Sequence, residues 1–235
     1  MVSFNGVSLE SLDSSIRIID VIVGPPTVNP TTIDPAFVDG QVYARSSLGS
    51  RPIVISFVVM DNNMTRRRNV ISKIVKWARI KTENKMVVPQ ESAGYINAVC
   101  TELPPNAAGE YWQTLQIVFT AFDPYFYATS ESSANVGKTF TVLQADNPPW
   151  RIEQQIGSTI TSPAWELNNE QISFSTLIRG KLVLDQKTQT ALLDGKSTLA
   201  NMMLGSRFFK LQSGQNYITA VSGAGGTVYW RERWV

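Results

Sequence analysis

One stretch of the sequence decides the fold, and it runs Leu115-Gln116-Ile117-Val118-Phe119-Thr120-Ala121-Phe122-Asp123-Pro124-Tyr125-Phe126-Tyr127. Its side chains alternate between two faces, with the odd-numbered residues from Leu115 to Ala121 on one of them, which is the period of two that a β-strand requires. The Asp123-Pro124 pair ends the pattern, because proline has no N–H for a ladder and keeps the preceding residue out of helical geometry. The stretch therefore predicts a long strand that closes a domain.

The composition is that of a folded globular protein with few catalytic groups. Of its 235 residues, 43% are hydrophobic and 17% are charged, which suits one large domain or two modest ones. The chain has no histidine, which removes Ser-His-Asp and Cys-His catalysis and the usual zinc hydrolase sites. Cys100 is the only cysteine, so there is no intrachain disulfide and no cysteine-based zinc site. We expect no catalytic residue, no metal and no cofactor.

The sequence also lacks the usual signals for export and membrane insertion. The start, Met1 to Gly6, has neither the basic region nor the apolar core of a signal peptide. The longest apolar run, Ile53 to Met60, is far shorter than the roughly 20 residues that span a bilayer. We expect a soluble protein made in the cytoplasm without export, and without a membrane partner.

Strand-like segments dominate the first half of the chain. The segment Arg51–Met60 is apolar on both faces, so we expect a central strand that is covered on both sides. Proline and turn residues from Gly24 to Gly40 indicate a long loop or arm. The remaining predicted strands of this half are Val2–Val7, Ser15–Val23, Gln41–Ala44, Met86–Val88, Tyr95–Thr101 and Tyr111–Phe122.

One helix interrupts these strands, from about Thr65 to Lys81. Val70, Ile74 and Trp77 recur at the helical spacing and would form its buried row. Asn63 or Thr65 could cap its start. The opposite face is basic.

The second half is again all strand and predicts a β-sandwich. Small and polar residues between Ala128 and Trp150 mark the change of domain, so we divide the chain into residues 1–130 and residues 131–235. The predicted strands of the second domain are Gln171–Ile178, Lys181–Leu184, Thr190–Leu193, Arg207–Leu211, Tyr217–Val221 and Thr227–Arg233, with Lys138–Leu143 as a possible first strand. The fold class is thus mainly β with one main α-helix.

Charge is divided sharply within the first domain. Residues 66–85 hold eight basic residues and one acidic residue, whereas the rest of residues 1–135 holds three basic and eleven acidic ones. Three interpretations stay open: a solvated helix face, a contact with the acidic part of a neighbouring copy, or nucleic-acid binding without a stacking aromatic. The candidates for subunit contact are Arg66, Arg67, Arg68, Lys73, Lys76 and Arg79.

Two other kinds of site are conceivable in this sequence. A sandwich could present Trp150, Trp165, Trp230 and Trp234 as a platform for cell-surface sugars, although tryptophan is more often a core or interface residue. Glycoside hydrolysis needs two acids about 5–10 Å apart. Glu102 with Glu110, or Asp185 with Asp194, could meet across hairpins, but nothing singles out either pair and surface acids in turns are the favoured explanation.

Several motifs, taken in order, resemble the distal tail proteins of long-tailed, non-contractile phages. The strand end carries the pattern F-x-A-x-D-P-Y-x-Y, and Phe4-Asn5-Gly6 and Arg51-Pro52-Ile53 precede it as in that family. Thr161-Ser162-Pro163-Ala164 and Phe208 to Ile218 are similar to its second domain. The residues of the strand-end motif are Phe119, Ala121, Asp123, Pro124, Tyr125 and Tyr127.

The resemblance implies a belt domain followed by a galectin-like sandwich. It implies a hexameric ring, single or stacked, at the tail tip of the virion, between the tail tube protein and the hub protein of the tip or baseplate. DNA would pass through the ring, and a receptor-binding protein could attach to it. Sugar-binding residues of true galectins include a histidine, which this chain lacks. A structural role is therefore favoured, with carbohydrate binding as the alternative.

Overall fold

We describe the protein from a computed structural model, which covers residues 1–34, 36, 39–105, 113–144 and 147–235. The chain divides into two compact units, residues 1–126 with Val235 and residues 127–234. The expected fold class is confirmed, since strands dominate both units and one α-helix, α1, spans Met64–Ala78. Single-turn 3-10 helices lie at Leu9–Ser11, Pro89–Glu91 and Leu199–Asn201.

Ten strands fall in the first unit or at its end. They are β1 (Ser3–Phe4), β2 (Val7–Ser8), β3 (Ile16–Val23), β4 (Val28–Ile33), β5 (Val42–Leu48), β6 (Arg51–Val59), β7 (Asn84–Val87), β8 (Gly94–Glu102), β9 (Leu115–Ala121) and β10 (Phe126–Ala128).

One sheet of the described residues contains seven of these strands in the order β2-β1-β7-β8-β9-β6-β3, with β10 paired off this path. The alternation that the sequence predicts for β9 is confirmed, because Leu115, Ile117, Phe119 and Ala121 are all buried and Gln116 and Phe122 are exposed. Residues 111 and 112 of the predicted strand lie outside the described part of the chain. β9 pairs antiparallel with β6, and Phe119 lies opposite Ile53.

The strand β6 lies inside the sheet, between β9 and β3, as its apolar sequence predicts. One face, carrying Ile53, Ile55 and Phe57, is completely buried. The expectation of cover on both faces is wrong, since Val54 and Val58 on the second face are only half-buried. The helix packs on the first face, where Trp77 contacts Phe119, the residue opposite Ile53.

A register shift interrupts the pairing of β3 with β6 between Ile18 and Asp20. Such a bulge leaves one residue without an opposite partner and increases the local twist. That residue, Ile19, is exposed, and so is Ile22 further along the strand. β3 is therefore an irregular strand at the end of the sheet.

The segment Gly24–Gly40 is an arm and not a long loop. Val28–Ile33 pairs with Val42–Leu48 in a two-stranded hairpin, which we call the arm hairpin (Val28–Leu48). Its base continues the β3–β6 pair, because Gly24 N donates to Pro52 O at 2.9 Å and Thr27 N donates to Ser50 O at 3.0 Å. A Cβ on Gly24 would lie 2.8 Å from Pro52 Cγ, so this close approach suits glycine.

The second unit is built from short strands around one hydrophobic core. A six-stranded sheet has the order β11-β23-β13-β18-β19-β20, and smaller sheets have the orders β16-β15-β22, β12-β21 and β14-β17. The strands are β11 (Ser132–Asn135), β12 (Thr139–Val142), β13 (Trp150–Ile156), β14 (Ile160–Thr161), β15 (Ala164–Leu167), β16 (Glu170–Ser173), β17 (Thr176–Leu177), β18 (Gly180–Asp185), β19 (Thr190–Leu193), β20 (Lys196–Ser197), β21 (Gly214–Tyr217), β22 (Thr219–Val221), β23 (Thr227–Trp230) and β24 (Arg233–Trp234).

One predicted strand of this unit is wrong. Residues 207–211 belong to no strand, although Phe209 and Leu211 are buried as the alternation requires. Isolated hydrogen bonds replace a ladder here: Arg207 N donates to Gln171 O at 2.8 Å, and Trp150 Nε1 donates to Phe209 O at 3.0 Å.

Candidate subunit-contact surface

The helix α1 is fixed at its start and along its buried face, so its outer face has a defined direction. Asn63 caps it, as expected, since its Oδ1 accepts from Thr65 N at 2.9 Å and from Arg66 N at 3.1 Å. Near its end, Trp77 Nε1 donates to Val7 O at 3.1 Å. The polar face therefore points away from the sheet.

The six basic candidates on this helix do not share one environment. Arg66 Nε lies 3.0 Å from Asp61 Oδ2, and Lys73 Nζ lies 3.2 Å from Asp13 Oδ2. Arg67 is buried, and its guanidinium donates to Asp61 O at 2.6 Å. Arg67 thus serves the domain itself and not the exposed face.

Three candidates remain as an exposed row. Arg68, Lys76 and Arg79 are exposed and have no ion pair within the part of the chain that the structure describes. Arg68 and Lys76 are eight residues apart, and Arg79, which directly follows the helix, is three beyond Lys76, so the three side chains lie on one side. We call them the basic row (Arg68, Lys76, Arg79).

The Lys73–Asp13 pair ties the helix to the loop before β3. The pKa of Asp13 lies below its ordinary value, first because Ser15 N donates to the carboxylate and then because Lys73 and the Ser15 hydroxyl do so. This ion pair is exposed on the lysine side, so it orients the helix more than it stabilises it.

The arm hairpin is the second exposed feature of the first unit. Every described residue from Val28 to Leu48 is exposed, including large apolar side chains. Val28 lies opposite Leu48 on one face, and Ile33 lies opposite Val42 on the other. An isolated two-stranded hairpin is at best marginally stable in water, and it buries little of its own apolar surface. The arm hairpin would therefore gain stability from a second surface that covers its apolar side chains.

The residues of the strand-end motif mostly serve the fold. Phe119, Ala121, Pro124 and Tyr127 are buried, and Asp123 and Tyr125 are half-buried. The Phe119 ring lies 5.9 Å from that of Trp77 in a T-shaped arrangement, which links the strand to the helix.

The tryptophans do not form the sugar platform that their clustering suggested. Trp150, Trp165 and Trp230 are 2%, 0% and 5% exposed, because strand alternation points them into the core. Their indole N–H groups donate internally, to Phe209 O, Gly225 O and Glu232 Oε1. Trp234 is half-buried and has contacts of its own. A flat exposed aromatic surface of these residues is thus ruled out.

Of the proposed acids, Asp194 lies in a turn, and Asp185 and Glu102 are the last residues of β18 and β8. Asp185 Oδ1 accepts from Thr188 N at 3.1 Å, and Asp194 Oδ1 accepts from Lys181 N at 2.8 Å. Glu110, the suggested partner of Glu102, lies outside the described residues. Within the described ranges no three His, Cys, Asp or Glu side chains are close enough to hold a metal ion, and no helix is long and apolar enough to cross a membrane.

Sequence reasoning missed two features that the structure brings out. The strands of the arm hairpin have no buried face and hence no hydrophobic period, although Thr31-Thr32-Ile33 and Val42-Tyr43 are β-formers. The burial of Arg67 could have been found, because it stands three residues before Val70 on the apolar row of the helix.

Comparison with known proteins gives a family match for the second unit and a fold for the whole chain. Residues 146–234 match the family model of the siphovirus-type tail component, C-terminal domain. The structure is similar to the crystal structure of the Dit protein of phage SPP1, with a TM-score of 0.79 and 15% identity over 100% of this chain and 98% of that one. It confirms the expected pairing of a belt domain with a galectin-like domain.

Two baseplate structures of phage P2, in the activated conformation with calcium or with strontium, are more distant. Their TM-scores are 0.49 and 0.48, each at 9% identity over 94% of this chain and 92% of the other. No curated protein matches the sequence.

Proposed function

We propose that the chain is a distal tail protein of a siphovirus, and that its copies form a hexameric ring that joins the tail tube to the tail tip. The family match of residues 146–234 supports a structural role in the virion tail, together with other tail components. In this proposal the ring binds the tail tube protein on one side and the hub protein on the other. DNA passes through its opening during ejection.

The arm hairpin carries the proposal. Its exposed apolar side chains include Val28, Tyr43 and Leu48, and an exposed apolar patch of this kind marks an interaction surface. A neighbouring copy of the same chain would supply one covering surface for each arm. A contact that joins one patch on a copy to a different patch on the next copy is heterologous. A series of such contacts becomes a finite assembly when the copies close into a ring. The division of charge within the first unit supports the same mode of assembly.

We assign the first unit to ring formation and the second to attachment of other tail proteins, including a receptor-binding protein. The six-stranded sheet of the second unit carries a row of ion pairs, from Glu131 through Arg151 and Glu153 to Lys181. These charges satisfy one another, so this face offers a rigid polar surface and no catalytic group. The role is structural and not enzymatic.

Mass photometry and negative-stain microscopy of the purified chain test the ring. We expect particles of six times the 26.0 kDa chain mass, or stacked pairs of them, with a central hole. Changing Val28, Tyr43 and Leu48 to serine should leave a folded monomer, whereas Leu143→Ser with Ile178→Ser, equally exposed in the second unit, should leave the ring intact. A wild-type monomer at high micromolar concentration would refute the proposal.

A further inference from the structure

The tip of the arm hairpin is acidic, and its charges are unmatched. Asp34 follows the last residue of β4, and Asp39 lies in the same connection before β5 begins at Val42. Both carboxylates are exposed and form no ion pair with any described residue. About 30 Å of extended chain separates Gly24 from Asp34, at about 3.3 Å per residue. The tip is thus held well away from the base of the arm.

The basic row has the opposite property. Arg68, Lys76 and Arg79 are exposed, unpaired among the described residues, and spread over about 16 Å of helix at 1.5 Å per residue. Other basic side chains of the helix already have carboxylate partners, as Arg66 and Lys73 do. One domain therefore carries an unpaired acidic tip and an unpaired basic row.

Apolar surface accompanies the charge on both sides. Ile33 and Val42 are 56% and 52% exposed next to the acidic tip. Met64, 50% exposed, and the half-buried Val75 lie along the same side of the helix as Arg68. A contact of these two surfaces would bury apolar area and pair charges at the same time, which gives both affinity and register.

We infer that the acidic tip of the arm hairpin binds the basic row of helix α1 of a second copy of this chain. This inference rests on the proposed ring and names the contact that closes it. Each chain gives one tip and receives one tip, so every copy is linked to two neighbours. Nucleic acid fits the basic row less well, since Trp77 is buried and the helix offers no aromatic for stacking.

Charge reversal tests the contact, because it changes the sign of the interacting side chains and keeps charged groups at the same positions. One variant carries Asp34→Lys and Asp39→Lys, and the other carries Arg68→Glu and Arg79→Glu. Each alone places like charges together, so we expect the concentration for half-dissociation of the ring to rise at least tenfold by mass photometry. An equimolar mixture should assemble again, because each acidic or basic tip then finds a row of opposite charge on the other variant. A chain with all four changes should assemble by itself.

The control is Glu83→Lys with Glu102→Lys, which reverses two exposed acids outside the arm and should leave the ring unchanged. The proposed contact is wrong if the wild type forms rings and each two-residue variant alone forms them equally well. It is also wrong if the mixture of the two variants forms no rings. In both cases the proposed ring itself is unaffected. If wild type forms no ring, the proposed function fails first. Intact rings of the Arg68→Glu, Arg79→Glu chain that lose binding to duplex DNA would overturn the contact in favour of nucleic acid.

Discussion

The ring of Phe119 lies against the ring of Phe4, with 4.9 Å between their centroids and 58° between their planes. Trp77 completes the cluster, since its indole stands edge-on to Phe4 at 5.8 Å. The three residues come from the first strand, the helix and the last long strand of the sheet, so their contact joins the beginning, middle and end of the first unit.

The Phe4–Phe119 contact predicts a large effect of one substitution. Because Phe119 is fully buried, Phe119→Ala should lower the free energy of unfolding by about 3–5 kcal/mol. Phe122→Ala on the same segment is the matched control: its side chain is 60% exposed, and we expect a change within about 0.5 kcal/mol. Urea unfolding followed by tryptophan fluorescence measures both, and equal effects would contradict the assignment of faces.

Glu232 is a buried carboxylate that collects three N–H donors. Oε1 accepts from Trp230 Nε1 at 2.9 Å and Leu143 N at 3.1 Å, and Oε2 accepts from Gln144 N at 3.2 Å. Glu232→Ala leaves these donors without their acceptor and should cost about 2–3 kcal/mol, whereas Glu232→Gln keeps one acceptor and should cost less.

The control for Glu232 is Glu170→Ala, at a half-buried position with no side-chain hydrogen bond among the described residues. It should change the melting temperature little in calorimetry. A Glu232→Ala chain as stable as this control would show that the three hydrogen bonds contribute nothing.

The pH dependence of the second unit should reflect Glu153. Its pKa lies below the ordinary value of 4.5, first because Lys181 donates to the carboxylate and then because Arg151 does. A lowered pKa in the folded state means that the stabilisation is complete above pH 4.5 and is lost as the pH falls through the folded-state value. At neutral pH it should amount to at most about 1 kcal/mol, since the ion pairs are partly exposed.

Thermal unfolding from neutral to acidic pH, compared with Glu153→Gln, checks this. The wild type should be the more stable chain at pH 7, and its advantage should vanish well below pH 4.5. Glu166→Gln, which removes a carboxylate that has no ion pair with any described residue, should be as stable as the wild type at each pH. A constant difference between wild type and Glu153→Gln at every pH would count against it.

Cys100 should react slowly with thiol reagents in the folded protein. Burial raises the pKa of its thiol from 9.0 to about 11, so the reactive thiolate is scarce at neutral pH. We expect labelling by Ellman's reagent about a hundredfold slower than for a free cysteine, in proportion to the thiolate fraction. In denaturing urea the rate should rise to the free value, and a fast native reaction would refute the prediction.

The sequence predicts well those parts of the fold where side chains alternate against a core. β9 and the buried row of α1 were found because burial imposes a period on their residues. The arm hairpin was not assigned as two strands, because no face of it is buried within its own chain. The two strands pair through backbone hydrogen bonds that continue the β3–β6 pairing. Backbone hydrogen bonds leave no pattern in the side chains, so the sequence does not predict them.

The candidate site was predictable in outline only. Charge counting found the helix, but the identity of its free cations depends on where Asp13 and Asp61 lie in the folded domain. The tryptophans show the opposite case: they were correctly seen as a cluster of the second half, and the alternation of short strands then turned three of them inward.

The bulge at Ile19 limits how further chains can add to the edge of the sheet. A straight, fully bonded border would act as a template for endless addition of further chains, as in amyloid. The interruption between Ile18 and Asp20 spoils that template along β3. The bulge thus disfavours edge-to-edge pairing of β3 with further chains. Fibre formation is disfavoured with it, and a closed assembly of fixed size is favoured.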